Sequence, residues 1–147
     1  MRLEQAALRL GVLVLGCFAL ACAGTTPPPL PMTLENAHWT LVSLGAGGAP
    51  IAKTQSEPFL VFGPAPGRMS GSGGCNRLAG SYEQKGDKLT FGPIASTRMA
   101  CAQGMEVEDA LGTALSGTAT LRIEGGRLEL RDAAGVLLAE FQGHAGR

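Results

Sequence analysis

The segment TLRIEGGRLELRD (residues 120–132) admits very few folded shapes. If Gly125 and Gly126 form a two-residue turn, which needs the positive φ that glycine adopts freely, the two arms fall into one register. Glu124 then faces Arg127, Ile123 faces Leu128, Arg122 faces Glu129 and Leu121 faces Leu130. Every outward pair joins opposite charges and every inward pair is apolar. Cross-strand pairs of this kind contribute about 0.2 to 1 kcal/mol each, and a slip of one residue loses them all together. A third strand, GVLLAEF, follows the short DAAG connection and completes an antiparallel meander.

Upstream, short apolar runs alternate with glycine-rich turns. HWTLVSL (38–44) places Trp39 and Leu41 at alternate positions before Ser43 interrupts, and the loop GAGGAP leads towards PFLVFG. Phe59 to Phe62 is almost wholly apolar, as expected of a strand buried on both faces. A second hairpin is predicted between RLAGSYEQ and KLTFG through Gly86 and Asp87, with Tyr82 opposite Phe91 and a bend or bulge at Gly80. In GMEVEDALGTALSG, Val107, Ala110, Leu111, Ala114 and Leu115 fall on one stripe of a helix. Glu106, Glu108 and Asp109 lie in its first turns, where the helix dipole favours negative charge, and Gly117 can end it. A helix this short needs a partner surface, and the apolar face of the sheet is the only large one. The expected fold class is therefore α+β: a curved antiparallel sheet of short strands, an incomplete barrel, packed around one main α-helix.

Arg2 and Arg9 accompany the apolar run LGVLVLGCFALACAG, which is too short for a permanent membrane helix and reads as an export signal. The expected organisation is a lipoprotein-type signal over 1–21, a tether over 22–34, a folded domain over 35–142 and a flexible tail over 143–147. Of two candidate lipidation sites, Cys17 and Cys22, the second is favoured, because a full apolar core and the small Ala21 precede it. Four prolines between Thr25 and Pro31 make the following tether extended and semi-rigid. Acyl chains on Cys22 would hold the protein on a membrane, at about 0.8 kcal/mol per buried methylene.

Removing residues 1–21 leaves ten basic and eleven acidic residues, with no cluster of Lys and Arg. Nucleic acid is not an expected partner, since its binding needs a cationic face. A zinc site needs four ligands, yet only Cys75, Cys101, His38 and His144 remain and none has ligand spacing. Thiol or serine catalysis needs a histidine base, and none has an evident partner. No catalytic, cofactor or metal residues are therefore expected. That leaves Cys75 and Cys101 as a disulfide or as two inert buried thiols, and an exporting leader favours the bridge. Closing such a loop contributes about 3 kcal/mol in the chain-entropy model.

The long stretch GSGGCNRLAGSYEQKGDKLTFGPIASTRMAC carries a Gly-Cys-Asn-Arg run (Gly74 to Arg77), Gly80 with Tyr82, and Thr-Arg-Met-x-Cys (Thr97 to Cys101) ahead of the helix. In this ordered pattern the chain resembles the META domain family of HslJ-type heat-shock lipoproteins, over roughly residues 36–142. The resemblance implies strands wrapped about one helix, on an envelope lipoprotein linked to stress or antibiotic tolerance, with no established chemistry. The absence of aspartate after Cys22 implies outer-membrane sorting where the cell has two membranes.

Asn76, Arg77 and Arg98 are the candidate ligand or partner contacts. Two guanidinium forks brought together by the bridge can hold a carboxylate or phosphate, whereas the commoner role of such residues is structural. The expected function is a non-enzymatic binding or structural module acting on another envelope component. The alternative is a secreted inhibitor that inserts GAGGAP or FGPAPGR into a hydrolase cleft.

Overall fold

A computed structural model describes residues 31–35, 37–64 and 66–145. Cys17 and Cys22 lie outside them. The strands are β1 (Ala37–Leu44), β2 (Ala49–Pro50), β3 (Phe59–Phe62), β4 (Gly67–Ser72), β5 (Arg77–Lys85), β6 (Lys88–Phe91), β7 (Ala95–Ser96), β8 (Thr118–Glu124), β9 (Arg127–Arg131) and β10 (Leu137–Ala145). Among the described residues one helix, α1 (Met105–Ala114), stands between β7 and β8. All pairings are antiparallel, and β1, β3, β4, β5, β6, β8, β9 and β10 neighbour one another in that order.

The barrel is closed, which corrects the expected incomplete one. β1 pairs with β10 from Ala37↔Ala145 to Leu44↔Ala139, so the first and last strands meet. The fold is mostly β, an eight-stranded antiparallel barrel, and its one short helix lies across an end rather than at the centre. The physical reason lies in residues expected to form a loose tail. Gly143, His144 and Ala145 belong to β10 and pair with Trp39, His38 and Ala37. Those extra rungs satisfy the outer edge of β1, which an open sheet would leave exposed.

Both predicted hairpins have the expected register. Leu121 faces Leu130 and Glu124 faces Arg127 across Gly125 and Gly126, whose φ values are 57° and 79°. The ion pairs nevertheless run differently. Arg122 pairs with Glu124 and Arg131 with Glu129 along their own strands, while Arg127 reaches Glu140 on β10. Tyr82 faces Phe91, and near Gly80 the partner of β5 changes from β6 to β7. Three residues (92–94) there stand opposite two (80 and 81), the bulge that Gly80 signalled.

Inward side chains fill the barrel, as expected for eight strands. Trp39, Leu41, Leu60, Phe62, Leu128 and Phe141 are almost wholly buried. β3 departs from its expected two-sided burial, because Leu60 and Phe62 point inward while Phe59 and Val61 are only half-covered. On that outer side the His38 ring stacks on Phe59 with centroids 4.3 Å apart.

The two ends are sealed differently. At the end where β1, β4, β6 and β9 terminate, α1 inserts Val107, Leu111 and Ala114, followed by Leu115 at its C-cap. Ala110 is exposed and stands apart from the predicted stripe. At the far end Leu34, the last residue of the segment read as a tether, is buried, and its carbonyl accepts the Trp39 indole N–H at 2.9 Å. There the Tyr82 hydroxyl donates to the Gly63 carbonyl and lies 3.5 Å from Glu35 Oε1.

Burial, with the Glu35 carboxylate beside it, pushes the Tyr82 phenol up to about 12. Because the folded state favours the neutral phenol, its contribution is complete below the unfolded value near pH 10 and is lost as pH rises through about 12. This is the chain's only tyrosine. Ultraviolet titration of the native protein is expected to show one phenolate transition about two units above that of the denatured chain. Tyr82→Phe is expected to remove the accompanying alkaline loss of about 2 to 3 kcal/mol, measured by denaturant unfolding at each pH.

Candidate functional site

The β4–β5 turn runs Gly73, Gly74, Cys75, Asn76. Gly74 has φ 102°, where an L side chain would be strained, and Gly73 is denied a side chain by contact. A Cβ on Gly73 would lie 2.5 Å from Glu108 Cγ. The two glycines thus let the first turns of α1 approach the strand ends closely.

Into that contact Asn76, 3% exposed, projects its amide. Asn76 Nδ2 donates to Glu108 Oε1 at 2.9 Å and to the Met99 carbonyl at 3.3 Å. Its Oδ1 accepts from the Met99 N–H at 2.7 Å and from the Thr97 hydroxyl at 2.9 Å. The Asn76 backbone N–H donates to Glu108 Oε2 at 2.6 Å, and the Ser96 hydroxyl donates to Glu108 Oε1 at 3.1 Å. One asparagine and one glutamate therefore fasten three segments: the β4–β5 turn, residues 96–99 and the start of α1.

Cys75 and Cys101 are joined by a disulfide, S–S 2.01 Å, Cα–Cα 5.9 Å. It anchors the far end of the segment that Asn76 holds. The cysteine of the glycine-rich run is thus a cross-link.

Arg77 and Arg98 are both exposed, and they line different depressions. Their backbone segments are adjacent, since the Thr97 N–H donates to the Arg77 carbonyl at 3.1 Å. Even so, Arg77 lines a depression with Glu57, Phe59 and Ser72, whereas Arg98 lines a groove against α1. Met99 forms part of both rims. The structure therefore brings Asn76 into a spent internal role and does not gather the two guanidinium groups into one pocket.

Glu108 escaped the sequence reading as a site residue. Nothing local distinguishes it from Glu106 or Asp109. Only the missing Cβ at Gly73 selects it, and that contact is between residues far apart in the chain.

The groove beside α1 has a volume of about 1160 Å³. Pro93 to Ala100 form one wall, and Met105, Asp109, Gly112, Thr113 and Ser116 form the other. Met99 and Met105, 53% and 38% exposed, belong to its lining. The loop Gly45 to Pro50 turns tightly through Gly45 and Gly48 into β2 and does not border this groove. Among the described residues no group of three or more His, Cys, Asp or Glu is placed to hold a metal ion.

The family model described as META domain matches residues 32–145. Two solved structures are similar. One, an NMR structure of a protein from Burkholderia xenovorans, is 27% identical with TM-score 0.60, covering 81% of this chain and 93% of its own. Another NMR structure is 26% identical with TM-score 0.58, covering 76% and 95% respectively. No curated protein matches the chain.

Asn76→Ala takes away the shared acceptor of the Met99 N–H and the Thr97 hydroxyl and one of the two donors to Glu108 Oε1, which keeps the Ser96 hydroxyl. Urea unfolding is expected to show a loss of about 2 to 4 kcal/mol, above the ordinary cost of a single hydrogen bond. Reduction of the disulfide in the wild-type protein is expected to cost about 3 kcal/mol in the same assay.

Proposed function

The chain belongs to the META domain family, and on that premise we propose that it is a non-enzymatic, lipid-anchored envelope protein that binds another envelope component at the groove beside α1. One observation carries the reading. The motif residues with chemical potential, Cys75 and Asn76, are spent inside the hub, while the segment they fasten presents Arg98 and Met99 outward. A rigidly held exposed segment is what recognition needs, because little ordering entropy remains to be lost on binding.

The envelope location is supported by the export-type leader with Cys22 and by the disulfide, a bond that persists in oxidising compartments. Lipidation of Cys22 would supply the membrane attachment and the proline-rich segment its spacer, with outer-membrane sorting and a role under envelope stress. Binding at the groove requires no cofactor or nucleic acid.

Two measurements test this reading. Intact-mass analysis of protein extracted from membranes is expected to show acyl chains at Cys22, and Cys22→Ala is expected to release the protein into the soluble fraction. A photo-crosslinking residue at Met99 is expected to give a discrete adduct in living cells, and the same residue at Arg122, on the outer wall, is not. Equal adducts at both positions would contradict the groove as the binding surface.

A further inference from the structure

We propose that the groove receives an extended segment of a partner polypeptide, added as a strand along the free edge of β7. The inference rests on the reading above that this groove is the binding surface, and it names the form of what binds.

The closed wall is joined by only a short ladder between β6 and β8. β6 pairs with β8 only from Lys88↔Thr120 to Thr90↔Thr118, and beyond the bulge at 92–94 the wall continues as β7. β7 pairs with β5 on one side and, among the described residues, has no strand on the other. The Thr97 N–H is directed to Arg77 and the Met99 N–H to Asn76. With Thr97 bonded to Arg77, antiparallel alternation turns the peptide group of Ser96, opposite Leu78, away from β5 and towards the groove. Such an edge is a template for strand addition, in which main-chain hydrogen bonds supply affinity and neighbouring side chains supply selectivity. The stretch from Ile94 to Met99 is about 20 Å long when extended, room for a short peptide strand.

The opposite wall contributes a second, independent observation. Gly112 sits inside α1, where glycine costs about 1 kcal/mol relative to alanine. A Cβ there would meet nothing within 4 Å, and φ is not in the left-handed region, so the fold itself does not require this glycine. It widens the groove facing β7. The rims carry opposite charges, Arg98 on one and Asp109 on the other, and neither is in an ion pair among the described residues. The complementary strand therefore has an acidic residue beside Arg98, a basic one towards α1, and apolar side chains for Met99 and Met105.

Short linear peptides selected from a random displayed library against the purified full chain provide the probe. The selected peptides are expected to share that charge pattern. Methylation of alternate peptide amides is expected to weaken binding by about tenfold or more in one register and to leave the other register unaffected. Ser96→Pro removes an outward N–H without touching the bonds to β5, and is expected to lose binding by a similar factor. Ser96→Ala loses the same hydroxyl bond to Glu108 but keeps the N–H, and Ser96→Pro is expected to bind more weakly than it does. Gly112→Leu fills the groove and is expected to abolish binding while the protein remains folded by Trp39 fluorescence.

Failure to select peptides, or indifference to the methylation register, would overturn strand addition. Self-association abolished by Gly112→Leu would assign the groove to a second copy and likewise overturn it. The Met99 adduct in cells separates the two levels. If Gly112→Leu removes the adduct but Ser96→Pro does not, the groove remains the binding surface and strand addition fails. If neither variant changes it, both fail.

Discussion

Closure of the wall by β1 on β10 governs the rest of this structure. With first and last strands hydrogen-bonded to each other, the inward faces enclose a space that Trp39, Phe62 and Phe141 fill, leaving no room for a central helix. An amphipathic α1 then has one surface available, the open end of the barrel, and its apolar stripe is short because an end is small. The other end is stoppered by Leu34 and by the hydroxyl of Tyr82. Each seal uses a residue whose polar atoms are satisfied: the indole of Trp39 bonds the Leu34 carbonyl, and the phenol bonds Gly63.

A helix lying over a barrel end must be fixed there, since a few buried apolar side chains set its depth but not its direction. The Asn76–Glu108 hub supplies direction. Asn76 is buried with both side-chain atoms bonded, so its placement admits little adjustment. The absence of a side chain at Gly73 is what lets Glu108 reach it. The disulfide adds a covalent limit on how far residues 97–101 can move from β5. Within the glycine-rich run Gly73 makes room for the protein's own helix at Glu108, while Gly71 makes room for the β3 backbone at Phe59 and Gly74 for Thr54.

Much of the barrel wall could be read in the residue pattern, because hairpin registers are local. Alternation across Gly125–Gly126 set Leu121 against Leu130, and Tyr82 met Phe91. Closure was not legible, for the contact between Ala37 and Ala145 spans the described domain and the final residues carry no strand-like pattern. The GHA sequence at 143–145 reads as a frayed end, yet it pairs because β1 has an unsatisfied edge that only β10 can reach. The candidate site divides in the same way. The cysteine pairing followed from compartment chemistry, whereas the role of Asn76 depends on Glu108, a partner that only tertiary structure reveals. Arg77 and Arg98 are near in the fold along the backbone but turn to different grooves, which no spacing rule expresses.

Antiparallel closure also orients the molecule. An even-stranded meander returns its last strand beside its first, so Ala37 and Ala145 lie together at the end sealed by Leu34 and Tyr82. α1 and the open edge of β7 lie at the opposite end. The described chain therefore enters the fold, through Leu34, at the end remote from the groove.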